Sequence, residues 1–106
     1  VTFDDFARMD IRAGKIVAAE KVAKTKKLMK LTIDTGIDTR TVVSGIAEYY
    51  APEEVIGQQV SILVNLEPKL LKGIESQGMI LMAENADGSL VFVRPDQDIK
   101  TGSEIR

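Results

Sequence analysis

Five lysines fall within ten residues in the stretch KVAKTKKLMK, Lys21 to Lys30. From Arg12 to Lys30 there are seven basic side chains against the single acid Glu20, a local charge of +6. Ammonium groups on flexible stems hold anions as mobile point charges, and a cluster of them is the electrostatic footprint of phosphate binding. Lys24, Lys26, Lys27 and Lys30 are the candidates here; the competing reading is an ordinary solvated loop. A second stretch, NLEPKLLKGIESQGM from Asn65 to Met79, lies between two apolar runs. Lys69 and Lys72 can reach phosphates. Asn65, Ser76 and Gln77 offer compact hydrogen-bonding groups, and Met79 offers a polarizable surface for an exposed base. Against this, Asn65 and Ser76 are also residue types that tie down loop backbone, and Met79 is one that fills cores. A plain hairpin needs about two to five connecting residues. The thirteen between Asn65 and Met79 therefore carry structure of their own or carry function.

Other chemistries are poorly supplied. The chain has no His and no Cys, which removes imidazole acid–base catalysis, disulfides and the usual ligands of zinc. No Gly-rich phosphate loop with a following Lys-Ser or Lys-Thr is present. Asp4-Asp5 and Glu53-Glu54 are adjacent carboxylates at expected helix starts, without the convergent geometry a catalytic dyad requires. No catalytic activity, metal or cofactor is expected in this domain. The net charge of −2 argues only mildly against nucleic acid, because the acids concentrate at Glu48 to Glu54 and Glu84 to Asp98. Local potential, not the total, steers an anionic ligand. Two tyrosines, three phenylalanines and no Trp are a poor supply of stacking platforms. Recognition by charge and backbone shape fits better, with the phenylalanines in the core and a tyrosine packed against the short helix.

The elements that must position these groups read as strands. At 106 residues the chain suits one domain, 1–106, and 44% apolar with 28% charged residues is the balance of a water-soluble globular fold. No apolar run is long enough to span a membrane. Thr2 followed by Asp5 predicts a capped helical turn with Phe3 and Phe6 facing inward. Asp10 to Val22 predicts a strand bent or bulged at Gly14. Leu28 to Thr35 alternates, with Leu31 and Ile33 on one face and Lys30, Thr32 and Asp34 on the other. Thr39 to Ser44 predicts its hairpin partner, Ala51 to Glu54 a short helix start, and Gln59 to Leu66 a further strand. Met79 to Glu84 and Leu90 to Arg94 predict strands apolar on both faces, joined by a turn at Asn85 to Gly88. Gly102 to Arg106 predicts a last short pairing. The order predicts an all-β fold: a five-stranded OB-fold Greek-key barrel, with a short helix between strands three and four and terminal extensions. A β-sandwich would want more strands. The two-faced apolar strands predict a subunit contact. In such a barrel the loops after strands one and four frame one ligand face. That face would gather the lysine arm, Ser44, and the stretch from Asn65 to Met79.

The segments DIRAGKIVAAE, VVSGIAEYY, NLEPKLLKGIESQGMILMAE and PDQDIKTGSEIR resemble the tRNA-binding domain family over essentially the whole chain. The chain is most similar to the C-terminal domain of bacterial methionyl-tRNA synthetases. The resemblance implies a homodimeric OB-fold that binds tRNA without strong sequence readout. It further implies a C-terminal module of a longer cytoplasmic chain, raising the tRNA affinity of a synthetase catalytic domain in cis. Stand-alone tRNA-binding dimers and a chaperone-like protein-interaction dimer share the fold and form the alternative. Members of the family often carry Lys where this chain has Glu48 and Glu67, and a basic residue where it has Leu70. These departures remove positive charge near the expected face.

Overall fold

The computed structural model describes residues 1–106. Helix α1 (Phe3–Ala7) precedes strands β1 (Ile11–Lys21), β2 (Met29–Asp34) and β3 (Thr39–Ser44), and α2 (Pro52–Val55) precedes β4 (Gln59–Leu63). Then come β5 (Lys69–Leu71), β6 (Ile74–Ser76), β7 (Met79–Ile80), β8 (Met82–Glu84), β9 (Leu90–Phe92) and β10 (Glu104–Ile105). The path β3-β2-β1-β4-β7 supplies the five strands of the barrel, all antiparallel, with α2 between the third and fourth. The thirteen-residue connection carries structure of its own, the β5–β6 hairpin.

Strand β1 serves two walls. Ile11 to Lys15 pair with β4, and Lys15 to Lys21 pair with β2. The register shifts between Ile16 and Ala18, so the bulge lies at Val17, not at the expected Gly14. Gly14 has another task. A Cβ there would stand 2.8 Å from Ile33 Cγ2 and 3.1 Å from Ile62 Cγ2, so its absence lets the walls close on each other. The period-two pattern of β2 holds: Met29, Leu31 and Ile33 are buried, and Lys30, Thr32 and Asp34 face outward. Ile16, Val42, Val60 and Ile62 complete the walls, and Ile46 and Val55 plug the interior from the segment between β3 and β4.

The barrel closes by an unusual seam. The N–H groups of Val43 and Thr41 point away from β2, and no regular strand ladder meets them. Ser76 Oγ accepts from Val43 N–H at 2.9 Å and donates to the Gly78 carbonyl at 3.2 Å. Gln77 Oε1 accepts from Thr41 N–H at 3.0 Å, and Gln77 N–H donates to the Thr41 carbonyl at 2.8 Å. Two side chains thus complete the edge that backbone would otherwise fill. Gly78 makes the approach feasible: its φ is +155°, and a Cβ would lie 2.8 Å from the Leu63 carbonyl oxygen.

The C-terminal extension also joins β1. Ile11 pairs with Ile105, Gly102 N–H donates to the Ala13 carbonyl, and Ala13 N–H to the Ser103 carbonyl. Gln59 grips the same extension, donating through Nε2 to the Ile99 carbonyl and accepting from Ile99 N–H at Oε1. Gly36 and Gly102 touch backbone to backbone: a Cβ on Gly36 would stand 2.4 Å from Gly102 Cα.

Several expectations are corrected. The capping box of Thr2 and Asp5 forms, but Phe3 is 80% and Phe6 39% exposed, and no residue of α1 is buried. The fourth strand ends at Leu63, and Leu66 is exposed. The expected strand Met79 to Glu84 breaks at Leu81, whose N–H turns to the Ser61 carbonyl. Tyr50 packs on Phe92, with ring centroids 4.9 Å apart, and donates its hydroxyl to the Leu90 carbonyl; its ring partner is β9, not α2.

The seam generates a stability prediction. Ser76→Ala leaves the buried Val43 N–H without an acceptor and is expected to lower unfolding stability by about 1–3 kcal/mol. Ser44→Ala, at a half-exposed site with no side-chain partner found, is expected to change it by less than about 0.5 kcal/mol. Thermal and urea unfolding of both variants check this; equal midpoints would show that the hydroxyl does not hold the seam.

Candidate nucleic-acid interface

The arm between β1 and β2 is short and fastened at both ends. Val22 N–H donates to the Leu28 carbonyl, and a turn from Val22 to Thr25 is closed by Thr25 N–H and Oγ1 on the Val22 carbonyl. The Lys27 carbonyl accepts from Ala47 N–H, which holds the arm against the segment after Ser44. Lys24, Lys26 and Lys27 are exposed on this frame. Lys30 is not free: its Nζ lies 3.5 Å from Glu20 Oε1 on the neighbouring strand. Ser44 ends β3 opposite Met29, beside the arm.

The second stretch forms a hairpin with a rigid base and a basic tip. Lys69 pairs with Ser76 and Leu71 with Ile74, leaving Lys72-Gly73 as the turn. Both turn residues have positive φ, 48° and 79°, as a type I′ turn requires. Lys69 and Lys72 are exposed, and Leu70 is 69% exposed. At the base, Asn65 Oδ1 accepts from Asp10 N–H at 2.9 Å and its Nδ2 donates to the Arg8 carbonyl at 2.7 Å. Ser76 and Gln77 form the seam already described. Met79 stands on β7, nearly half exposed.

Strand register links the two loops. Glu20 lies opposite Lys30, Lys30 opposite Val43, Val43 bonds Ser76, and Ser76 lies opposite Lys69. Lys30 and Lys69 are thus joined through one continuous row of contacts. The next row holds Ala18, Thr32, Thr41 and Gln77. A shallow depression of about 260 Å³ lies between Ala18, Ala19, Glu20, Lys30 and Thr32. Thr32 and Thr41 present hydroxyls on this face and were not singled out from the sequence, although the alternation of β2 placed Thr32 outward.

One further residue was missed. Arg40 lies opposite Ile33 and reaches across the barrel end, with Nη1 donating to the carbonyls of both Val64 and Gln77. Its Nε donates to Asp38 at 3.0 Å. The Thr35 hydroxyl, at 2.6 Å, and then Arg40 hold the Asp38 carboxyl below its ordinary value, against a partial loss of hydration. No cluster of acids suited to a metal ion is found, and every buried side-chain polar atom has a partner.

Comparison with known proteins gives the family and the fold. The tRNA binding domain family model matches residues 11–104. The chain is 70% identical over 105 residues to methionine–tRNA ligase of Cytophaga hutchinsonii, covering 99% of this chain and 15% of that one. It is 53% identical to the ligase of Bacteroides fragilis, covering 100% of this chain and 16% of that one. The chain thus spans about 15% of the length of the curated relatives it matches. Among solved structures, a MetRS related protein from Pyrococcus horikoshii superposes with a TM-score of 0.93 at 38% identity, covering 100% of this chain and 97% of that one. The chaperone CsaA of Bacillus anthracis superposes with a TM-score of 0.91 at 30% identity, covering 100% and 98%. A five-strand barrel with two lysine-bearing loops, matched by a family model over nearly its whole length, places this chain in the tRNA-binding domain family.

Proposed function

We propose that the chain is the tRNA-gripping and dimerising module of a cytoplasmic methionyl-tRNA synthetase. In this reading it binds tRNA without sequence readout and lends affinity to a catalytic domain in cis. A tethered second grip makes later contacts intramolecular and raises apparent affinity without altering the chemistry. One observation supports the reading above the others. Only two non-glycine residues have positive φ, Lys24 at 63° and Lys72 at 48°, and both are lysines in the turns of the two candidate loops. A lysine in the left-handed region is disfavoured relative to Gly or Asn, so backbone economy would not choose it there. A phosphate contact gives a reason to keep it.

The site we infer has two kinds of member. Lys24, Lys26, Lys27, Lys30, Lys69 and Lys72 supply charge, with Ser44 and Met79 at the margins. Asn65, Ser76 and Gln77 act through the hairpin base, since their polar atoms already serve backbone groups. Contacts of this kind find phosphate and ribose oxygens, which dominate recognition of folded RNA. For the dimer, we assign the exposed Phe3, Phe6 and Met9, which line a groove of about 540 Å³ with Ile11 and Ile105. Val91 on β9 and Val93 just after it are also exposed apolar residues.

Filter binding of bulk tRNA over a salt series tests the reading. Affinity is expected to fall steeply with salt, and Lys26→Ala with Lys27→Ala is expected to flatten the slope by roughly one to two units. Glu20→Gln releases Lys30 and is expected to tighten binding and steepen the slope; no tRNA binding at low salt would end the proposal. Lys72→Asn installs the Asn-Gly pair that a type I′ turn prefers. It is expected to raise stability by about 0.5–1 kcal/mol while weakening tRNA binding, as read by thermal unfolding and filter binding together; binding unaffected would remove Lys72 from the site. Sedimentation equilibrium at micromolar concentration is expected to show twice the chain mass, and a single 11.6 kDa species would exclude the dimer.

A further inference from the structure

The β5–β6 hairpin leaves the barrel after Val64 and returns at Gln77. One nitrogen touches both of these points: Arg40 Nη1 donates to the Val64 carbonyl and to the Gln77 carbonyl. The same guanidinium is held from behind. Its Nε donates to both oxygens of Asp38, at 3.0 Å and 3.1 Å, and Asp38 Oδ1 accepts the Thr35 hydroxyl at 2.6 Å. Thr35 is fully buried and also accepts Asp38 N–H, so the whole chain of contacts is anchored in the turn between β2 and β3.

We propose that Arg40 is a positioning residue for tRNA binding, a clasp that closes both feet of the hairpin onto β3 and sets where Lys69 and Lys72 stand. The proposal rests on the tRNA reading above and deepens it. Arg40 sits in the interior row of β3 and its side chain is only 21% exposed. Its charge is already shared with a carboxylate and two carbonyls, which leaves it poorly placed to act as a phosphate contact itself. The planar fork matters. A lysine ammonium at this site keeps the charge but cannot grip a carboxylate with one nitrogen while another spans two carbonyls. Asn65, Ser76 and Gln77 each hold one foot by a side chain. Backbone ladders bring the feet together, Leu63 on Met79 and Lys69 on Ser76, and Arg40 is the side chain that bonds to both.

A double-mutant cycle on this chain tests the clasp. Lys69→Ala with Lys72→Ala is made in the native background and in Arg40→Lys, and tRNA binding is measured over a salt series. In the native background the lysine pair is expected to lower affinity several-fold and flatten the salt slope by roughly one to two units. In the Arg40→Lys background the hairpin is displaced, and removing the same lysines is expected to change affinity by less than about twofold. Equal losses in both backgrounds would overturn the clasp while leaving the tRNA reading intact. No loss in the native background would overturn both, because the hairpin would then not be a contact. Should Arg40→Lys fail to fold, Asp38→Ala, which removes both acceptors of Nε, takes its place in the same cycle. Backbone 15N relaxation supplies the readout that general destabilisation does not mimic. Residues 69–74 are expected to gain motion while β1 to β4 keep theirs, and an unchanged hairpin in both variants would refute the proposal.

Discussion

The outer edge of β3 is the place where this fold is decided. A five-strand sheet that curls into a barrel must satisfy the N–H groups of its last edge or leave an open template for aggregation. Here the returning chain arrives with too few residues in strand conformation to make a regular ladder. Ser76 and Gln77 make up the difference with side-chain oxygens on the Val43 and Thr41 N–H groups. Gly78 must then let the chain pass against Leu63. The seam therefore fixes the base of the hairpin, and the hairpin base fixes where its lysines project.

The same device recurs at two other joints. Asn65 accepts from Asp10 N–H and donates to the Arg8 carbonyl, and Gln59 does the equivalent with Ile99. A carboxamide has the donor and acceptor of a peptide group at nearly the same separation, so it can stand in for one residue of a missing strand. Two such stand-ins secure the segment after α1 and the C-terminal extension, while at the seam Gln77 adds its carboxamide oxygen to its own backbone N–H. Polar residues at the base of the candidate loop then have a structural duty, while Lys69 and Lys72 stay exposed. Division of labour of this kind suits electrostatic binding. Point charges on flexible stems tolerate varied phosphate positions, provided the frame beneath them is stiff. The basic character of a chain of net charge −2 lies mainly in the stretch from Arg12 to Lys30; the hairpin stretch sets Glu67 and Glu75 against Lys69 and Lys72, and acids gather again at Glu48 to Glu54 and Glu84 to Asp98.

The parts of the fold governed by local periodicity were legible in the sequence. Alternation in β2 assigned every side chain to its face, and Thr39 to Ser44 matched β3 at both ends. Pro52 and the acids after it marked α2. What could not be read was long-range. Ser76 finds Val43 across 33 positions, and Asn65 finds Arg8 across 57. Nothing in a serine or an asparagine says whether its partner is a ligand or a distant backbone. Phe3 and Phe6 misled for a related reason. Apolar residues on a short capped helix do not say what they pack against. Arg40 was passed over because an arginine in a β-branched strand looks like an outward residue, whereas its length lets it sit in the interior row and reach the barrel end.

The contact between Gly36 and Gly102 has an evolutionary consequence. Both residues have positive φ, 86° and 95°, and each occupies the space a Cβ on the other would need. Most tight contacts can drift, because a larger residue on one side is offset by a smaller one on the other. No residue is smaller than glycine, so neither partner has a compensating substitution. Homologous chains that keep this tail should hold both positions fixed together, each by the contact and by its own positive φ. The register of the tail on β1 is thus inherited through a pair of missing atoms.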